Sequence, residues 1–440
     1  MHIVGHKIFV RMKDIPMYLS KKTKDSIRNR YSHSVEVGLG TEYVLAHVGR
    51  QLGNDVNLNF FHIAKIIGMV HDIGHTAFSH DGEMILDKAL KEASKSYETS
   101  IRFNANLNNF RRIEKYALFD ILPRDIKHYA LASLVKRKKE LGEYPEYVYM
   151  KEYLNEAIII EEQYLRGKGV EVHNSTSKTI LCQAMDIADE NRYRVTDIID
   201  ALNIYSKQKL KEILLRGITS DVRVKELRKV CRIYVKHFES EKHIDKMTIK
   251  ELLISLLNQE SHAKTEFQNV MNSISMAFNR NFLLSNRGEL VPDVKEIEQL
   301  RKDFHNIAAK YLWGSKKVQN IKKPFRHYFT TVVDYFINQN FDRELIDSST
   351  YKKALIALEE SGLNMKEIRY EKLLLLRNFL GGLTNQKIMD LYKRIKLASF
   401  EKKLGHDIDK REKLLLKESI PAFDKSLEKV RLRFEDKKSA

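Results

Sequence analysis

Apolar residues recur along this chain at the spacing of one helical face. Val44, Leu45, Val48 and Leu52 form one stripe, and Phe60, Ile63, Ile67 and Val70 form another. The stretch from Leu181 to Tyr205 contains neither Pro nor Gly and reads as one long helix. From Val222 to Asn258, and again from Leu300 to Asn338, the same period continues with charged outer faces. The last forty residues mix both charge signs without losing the period, which predicts helix there too. Three polar segments interrupt the pattern and are expected to be loops: Lys136 to Pro145, Gly167 to Lys178, and Ser285 to Asp293. The pattern predicts an all-α protein. Its first half, 1–215, is expected to be a catalytic core, and 216–440 a C-terminal helical region packed on that core.

Composition supports this and narrows the setting. With only 6 Pro and 18 Gly in 440 residues, long helices are favoured over short strands joined by turns. The two cysteines, Cys182 and Cys231, form no CxxC and sit in apolar helical contexts, so neither a disulfide framework nor a structural zinc site can be built from them. Charged residues interrupt the apolar positions of Met1 to Leu19, so no signal-peptide core is visible. No stretch reaches the roughly 20 apolar residues of a membrane span. A cytoplasmic protein without membrane attachment is the expectation. The formal net charge of +18 favours anionic partners, either nucleotides or nucleic acid, and does not choose between them.

The chemistry concentrates in three places. His71-Asp72 follows an apolar helix and is followed at once by Ile73-Gly74-His75, where Gly74 is a natural helix stop. Adjacent residues point about 100° apart on a helix, so both can address one ion only in the altered geometry of a helix end. An isolated His-Asp pair is uninformative, but here His33 lies upstream on a helix and an acidic helix lies downstream. That helix carries Asp189, Tyr193 and Asp197 at spacings of four, hence on one face. Taken alone, its acidic residues read as an ordinary solvated face. With the other elements they complete a set of two imidazoles and two carboxylates, which suits a divalent first-row ion such as Mn, Fe or Co, and also Mg or Zn. His80 and Glu83, three residues apart, can pair so that the carboxylate orients a proton-exchanging imidazole.

These elements resemble the deoxyguanosine triphosphate triphosphohydrolases, a family of HD-domain enzymes. Arg28-Asn29-Arg30-Tyr31-Ser32-His33-Ser34 is similar to the family's RxRLTHS element. His71 to Glu83 (HDIGHTAFSHDGE) is similar to its HDLGHPPFGHAGE, and Asp186 to Leu202 (DIADENRYRVTDIIDAL) to its DxADDIAYxxxDxxDAL. The likeness continues over Leu300 to Asn338 and Leu375 to Leu391, although Asn385 and Gln386 stand where the family has Asp and Arg. The resemblance implies an HD-domain helical core, with His33, His71, Asp72 and Asp189 holding a divalent metal ion (Mn, Mg, Fe, Co or Zn). Asp186 is the rival for the fourth place; Asp189 is preferred because it lies four residues before Tyr193. The resemblance further implies a catalytic pair, His80 and Glu83, and phosphate contacts from His75 and Arg30. It implies sugar contacts from Tyr193 and from Asp197, the latter accepting from the 3′-hydroxyl. It also suggests a homo-oligomer, such as a hexamer.

Where the family shows FExN or FEHN, Phe103 to Arg111 reads FNANLNNFR, which removes an acid and leaves Asn106 as a substrate contact. A second general acid would then have to come from elsewhere, for example Glu98 or solvent. Arg192 stands where the family is apolar, and would add a phosphate contact. The expected reaction is hydrolysis of a deoxynucleoside triphosphate to deoxynucleoside and inorganic triphosphate. Alternatives are an HD phosphohydrolase acting on a nucleoside monophosphate or a signalling nucleotide, and a basic helical protein binding single-stranded nucleic acid through Lys316 to Tyr328. Nucleic acid as an effector of the enzyme is compatible with both.

Overall fold

The computed structural model describes residues 3–17, 28–53, 58–142, 144, 147–170, 178–231, 241–259, 263–338, 341, 343–346, 348–404 and 424. These residues form 18 α-helices and one two-stranded ribbon, so the fold is all-α as the pattern predicts. The ribbon, Phe282–Leu284 antiparallel to Leu290–Pro292, lies where a loop was expected. Strands of three residues are too short to display an alternating period, and Gly288, at φ 74°, supplies the turn between them. The helical period expected over Leu300 to Asn338 is carried by two helices, Lys295–Ile307 and Lys316–Asn338, separated by a π-helical turn at Ala308–Trp313. Most of the C-terminal helix expectation falls outside the described residues: the Asn385–Leu404 helix ends where the description stops, apart from Asp424. Among the described residues no helix is long and apolar enough to cross a membrane.

The chain separates into two compact units, each discontinuous in sequence. One comprises 1–74 and 106–321, the other 75–105 and 322–440. In the first unit the helix Arg30–Gln51 packs against both Leu58–Val70 and Ile180–Ala201. It starts at Asn29, whose side chain accepts the Ser32 N–H at 3.0 Å. The crossing with Leu58–Val70 is close because two glycines meet there. A Cβ on Gly68 would lie 2.7 Å from Gly38 Cα and 2.6 Å from Thr41 Oγ1, and one on Gly38 would lie 2.7 Å from the Lys65 carbonyl oxygen. That approach draws the helix of His33 toward the helix that leads into His71.

Ile180–Ala201 is the spine of the unit. Leu181, Met185 and Ala188 enter one apolar cluster with Val37, Val44, Ile67 and Val70. Two turns further on, Val195, Ile198 and Ile199 enter a second with Leu252, Phe267, Phe278 and Phe304. Its N-terminus is held by Thr179, which accepts the Cys182 N–H at 3.0 Å, and by Glu161, both of whose oxygens lie 2.9 Å from the Ile180 nitrogen. The Tyr129 hydroxyl also donates to Glu161. Burial nevertheless pushes the Glu161 carboxyl up to about 7.

In the second unit the helices Ser79–Ala93, Met365–Leu380 and Asn385–Leu404 surround a core that includes Leu86, Phe329, Phe336, Leu373 and Ile388. Phe78 (φ 60°) and Ser79 (φ 57°) are both left-handed where the chain enters the first of these helices. The Phe78 N–H donates to Asn385 at 2.8 Å. Strain of this kind persists only where the surroundings over-determine it.

Two outcomes follow from this packing. Gly68→Ala should destabilise the protein by about 1–3 kcal/mol through overpacking, read by thermal unfolding. Gly167→Ala, whose Cβ would meet nothing within 4 Å, should be close to neutral. Glu161 should make stability depend on pH. Below its ordinary 4.5 both folded and unfolded chains hold its proton; between 4.5 and about 7 only the folded chain does, so its contribution falls as pH rises through that window. In urea titrations at pH 4.5 and 7.5, the parent should lose stability relative to Glu161→Gln. Parallel profiles for the two proteins would contradict the assignment.

Candidate metal centre

Within the first unit, four of the side chains singled out in the sequence meet in one buried cluster. His33 comes from the first turn of Arg30–Gln51, His71 and Asp72 from the turn that follows Leu58–Val70, and Asp189 from the middle of Ile180–Ala201. His33 Nε2 lies 2.9 Å from Asp189 Oδ1 and 3.8 Å from Asp72 Oδ2. His71 Nε2 lies 3.3 Å from Asp72 Oδ1 and 3.5 Å from Asp189 Oδ1. Neighbouring donors around a first-row cation, with metal–ligand bonds of about 2.0–2.2 Å, stand roughly 3 Å apart. The cluster has that spacing.

Two further features fit a cation. His71 Nδ1 lies 2.6 Å from the Gly68 carbonyl oxygen, a bond that places the proton on Nδ1 and turns Nε2 inward. That buried Nε2 has no hydrogen-bond partner. Such an orphan is rare in a folded protein and accounts well for a ligand position. His33, His71 and Asp189 offer donor atoms all within 4.8 Å of one another, a group that could hold a divalent metal ion.

The carboxylates are divided between imidazole and cation. Asp189 turns Oδ1 to the histidines and Oδ2 to Lys136 Nζ at 2.8 Å. Asp72 faces His71 through Oδ1 and accepts from Arg30 Nη1 through Oδ2. Burial alone would raise the Asp189 carboxyl, but Lys136 and His71 outweigh it and hold it well below the usual carboxylate range. Burial likewise opposes charge on His71, and Asp72 and Asp189 override it, so this imidazole sits above its ordinary pKa. Lys136 is driven down by burial and more strongly up by Asp189 and Asp186, which keeps it protonated. Two buried negative charges are thus met by two positive ones, and an added divalent cation would leave the pocket positive.

Asp186 occupies a different place. Its Oδ2 accepts from Lys178 at 2.5 Å, its Oδ1 lies 3.7 Å from Lys136, and it is outside the group of converging donors. One and two turns beyond Asp189, Tyr193 and Asp197 share its face of the helix. Asp197 is buried and accepts from the Trp313 indole N–H at 2.5 Å, and the Tyr193 and Trp313 rings lie 5.5 Å apart. Burial pushes the Tyr193 hydroxyl up to about 12. Asn106 is half-buried at the start of Ala105–Lys115. Arg192 is engaged elsewhere: it grips both oxygens of Glu36 at 2.7 and 2.6 Å and donates to Asn272 at 3.1 Å, so this geometry does not free it for phosphate.

The second unit holds a group of its own. His75, His80 and Glu83 offer donor atoms within 4.8 Å of one another, and the His75 and His80 rings meet edge to face at 5.1 Å. His80 Nδ1 lies 3.2 Å from Glu83 Oε2, while Glu83 Oε1 accepts the Ala105 N–H at 2.7 Å. His75 is buried and His80 is exposed, so the pair presents an accessible imidazole backed by an anchored carboxylate. The chain departs from the family pattern at Asn104-Ala105, and it is the backbone at Ala105 that holds Glu83 in place. Glu98 lies exposed after the Ser79–Ala93 helix.

Sequence reasoning missed Lys136, Trp313 and Asn109. Lys136 opens a charged stretch read as a loop, and Trp313 is the one tryptophan of the chain, set in a π-helical turn. The basic stretch from Lys316 is largely engaged. Lys322 lies 3.1 Å from Asp81 and Arg326 2.7 Å from the same carboxylate, while Lys317 donates to the Ile204 carbonyl.

Substitution should separate the two acids. Asp189→Asn should abolish tight Mn²⁺ binding, whereas Asp186→Asn should keep it within about threefold of the parent, because only Asp189 faces both imidazoles. Equilibrium dialysis measures both, and equal losses would contradict the distinction.

No family model matches the chain. The deoxyguanosinetriphosphate triphosphohydrolase-like protein 2 of Vibrio cholerae is 31% identical over 182 residues, 40% of this chain and 39% of that protein. Its namesake from Mesorhizobium japonicum is 26% identical over 214 residues, 46% of this chain and 44% of its own length. These matches therefore span less than half of those relatives. A deoxyguanosinetriphosphate triphosphohydrolase-like protein of Rickettsia conorii aligns far more widely, over 352 residues, 76% of this chain and 79% of its own length, at 26% identity. Over most of its length the chain is thus similar to the deoxyguanosinetriphosphate triphosphohydrolase-like proteins.

Proposed function

We propose that the protein hydrolyses deoxynucleoside triphosphates to deoxynucleoside and inorganic triphosphate with the help of a divalent cation. The observation that carries this reading is the buried convergence of His33, His71, Asp72 and Asp189, with the His71 Nε2 atom orphaned and turned inward. The names of the relatives supply the nucleotide class.

Those four side chains would hold the divalent cation, which would supply Lewis acidity toward the α-phosphate. The remaining work falls to the chain's own residues. His80 takes or relays a proton from water, and Glu83, bonded to its Nδ1, orients the ring and stabilises its charge. Arg30, His75 and Lys136 neutralise polyphosphate charge, since positioning and charge stabilisation dominate phosphoryl transfer. Arg30 and Lys136 each hold one of the converging carboxylates, which places both cations beside the centre. Tyr193 and Asp197 bind the deoxyribose, Asp197 accepting from the 3′-hydroxyl in place of the Trp313 N–H. Asn106 contributes a further polar contact.

Incubation with each of the four deoxynucleoside triphosphates and with Mn²⁺, Mg²⁺, Fe²⁺ or Co²⁺, followed by product chromatography, tests the reading. Triphosphate released in one step is expected. Stepwise orthophosphate, or turnover confined to a monophosphate or a signalling nucleotide, would move the protein to another HD-type phosphohydrolase reaction. Salt-sensitive binding of single-stranded nucleic acid without turnover would replace the enzymatic reading. His80→Ala should retain Mn²⁺ and lose about a hundredfold or more in kcat. Full activity in that variant removes His80 from the mechanism.

A further inference from the structure

The turn His71–Gly74 has an unusual hydrogen-bond economy. It is buried and lies beyond the end of a helix; the Ile73 N–H still reaches the Val70 carbonyl at 3.2 Å, but the carbonyls of His71, Ile73 and Gly74 have no bulk water to satisfy them. Side chains do so instead. Asn109 Nδ2 donates to the His71 carbonyl, Arg11 Nη2 to the Ile73 carbonyl at 2.8 Å, and Asn108 Nδ2 to the Gly74 carbonyl at 2.7 Å. Asn109 Oδ1 accepts the Gly74 N–H at 2.6 Å. One amide group therefore spans the turn, holding its first carbonyl and its last N–H at once.

We propose that Asn109 is a positioning residue for the metal centre, its amide fixing the non-helical turn that lets the adjacent residues His71 and Asp72 address one cation. On a continued helix those neighbours would diverge by about 100°. Here both reach the same cluster, with His71 Nε2 and Asp72 Oδ1 3.3 Å apart. Two side chains on so short a turn convert any change in its backbone dihedrals into displacement of both donors. The span closed by Asn109 is the distance on which their convergence depends. This inference rests on the metal-centre reading above and adds to it a residue that touches neither the cation nor the substrate.

A control of matching chemistry exists in the same unit. Asn281, also buried, likewise makes two backbone hydrogen bonds through its side-chain amide, donating to the Val294 carbonyl at 3.1 Å and accepting the N–H of that same residue at 2.8 Å, with neither bond to the turn at His71. Asn109→Leu and Asn281→Leu each remove one such bracket and should both lower the Tm of the full chain. Equilibrium dialysis against Mn²⁺, with the free ion read by electron paramagnetic resonance, then distinguishes them. Asn109→Leu should weaken Mn²⁺ binding by about ten- to a hundredfold, and Asn281→Leu should leave it within about twofold. Asn109→Asp keeps the acceptor for the Gly74 N–H but loses the donor to His71. It should weaken binding too, and it stands in if the leucine variant does not fold.

A folded Asn109 variant that binds Mn²⁺ as the parent does would overturn the proposal, and so would an equal loss in Asn281→Leu. Failure of both Asn109 variants to fold would make the residue a folding determinant and overturn it as well. If the parent itself binds no Mn²⁺, the metal centre falls and the bracket with it. Parent binding with an unaffected Asn109 variant removes the bracket alone.

Discussion

Two carboxylates buried against two imidazoles constrain much of what surrounds them. Asp72 and Asp189 could not remain charged in that position without compensation, because desolvation of an ion costs several kcal/mol. Arg30 and Lys136 provide it from one side of each carboxylate and leave the other side for the histidines. The arrangement is balanced as it stands and would become electropositive with a divalent cation. It also explains why a lysine outside every recognised motif belongs to the centre: its partner Asp189 is pinned from two directions.

Convergence of these groups depends on backbone geometry more than on the ligands themselves. The meeting of Gly38 and Gly68 brings two ligand-bearing segments within reach, and the Gly68 carbonyl, at the same crossing, sets the His71 tautomer. Close approach and ligand orientation thus come from one glycine. The long Ile180–Ala201 helix adds the third segment. It is fixed along its length by two apolar clusters and at its start by Thr179 and Glu161, so Asp189, Tyr193 and Asp197 are carried on a rigid element. Rigid support of this kind is what a site needs to hold donor atoms to within fractions of an ångström.

The pair of His80 and Glu83 has a different character. His80 and Glu83 stand on the first turn of a helix in the second unit, entered through two left-handed residues and with Glu83 tied to the Ala105 backbone. The ligand cluster is buried and electrostatically closed, whereas His80 is open to solvent.

The helical character of the chain, its apolar stripes and the break after Val70 were legible in the one-dimensional pattern, whereas singling out His33, Asp189, His80 and Glu83 leaned on the resemblance of three motifs to a known family. Period and residue type report directly on which face of a helix is buried and where it must stop. The short ribbon at Phe282–Pro292 was not legible, being too brief to show a period, and neither was the π-helical turn that breaks Leu300 to Asn338. Partnership was hidden for a more general reason. Whether Arg192 faces phosphate or Glu36, whether Asp186 meets imidazoles or Lys178, and which amide closes the turn at His71 depend on segments distant in the chain. Local sequence fixes what a side chain can do; only the packing of distant helices decides which atoms it does it with, because hydrogen bonds and ion pairs act over a few ångströms of space and are blind to separation along the chain.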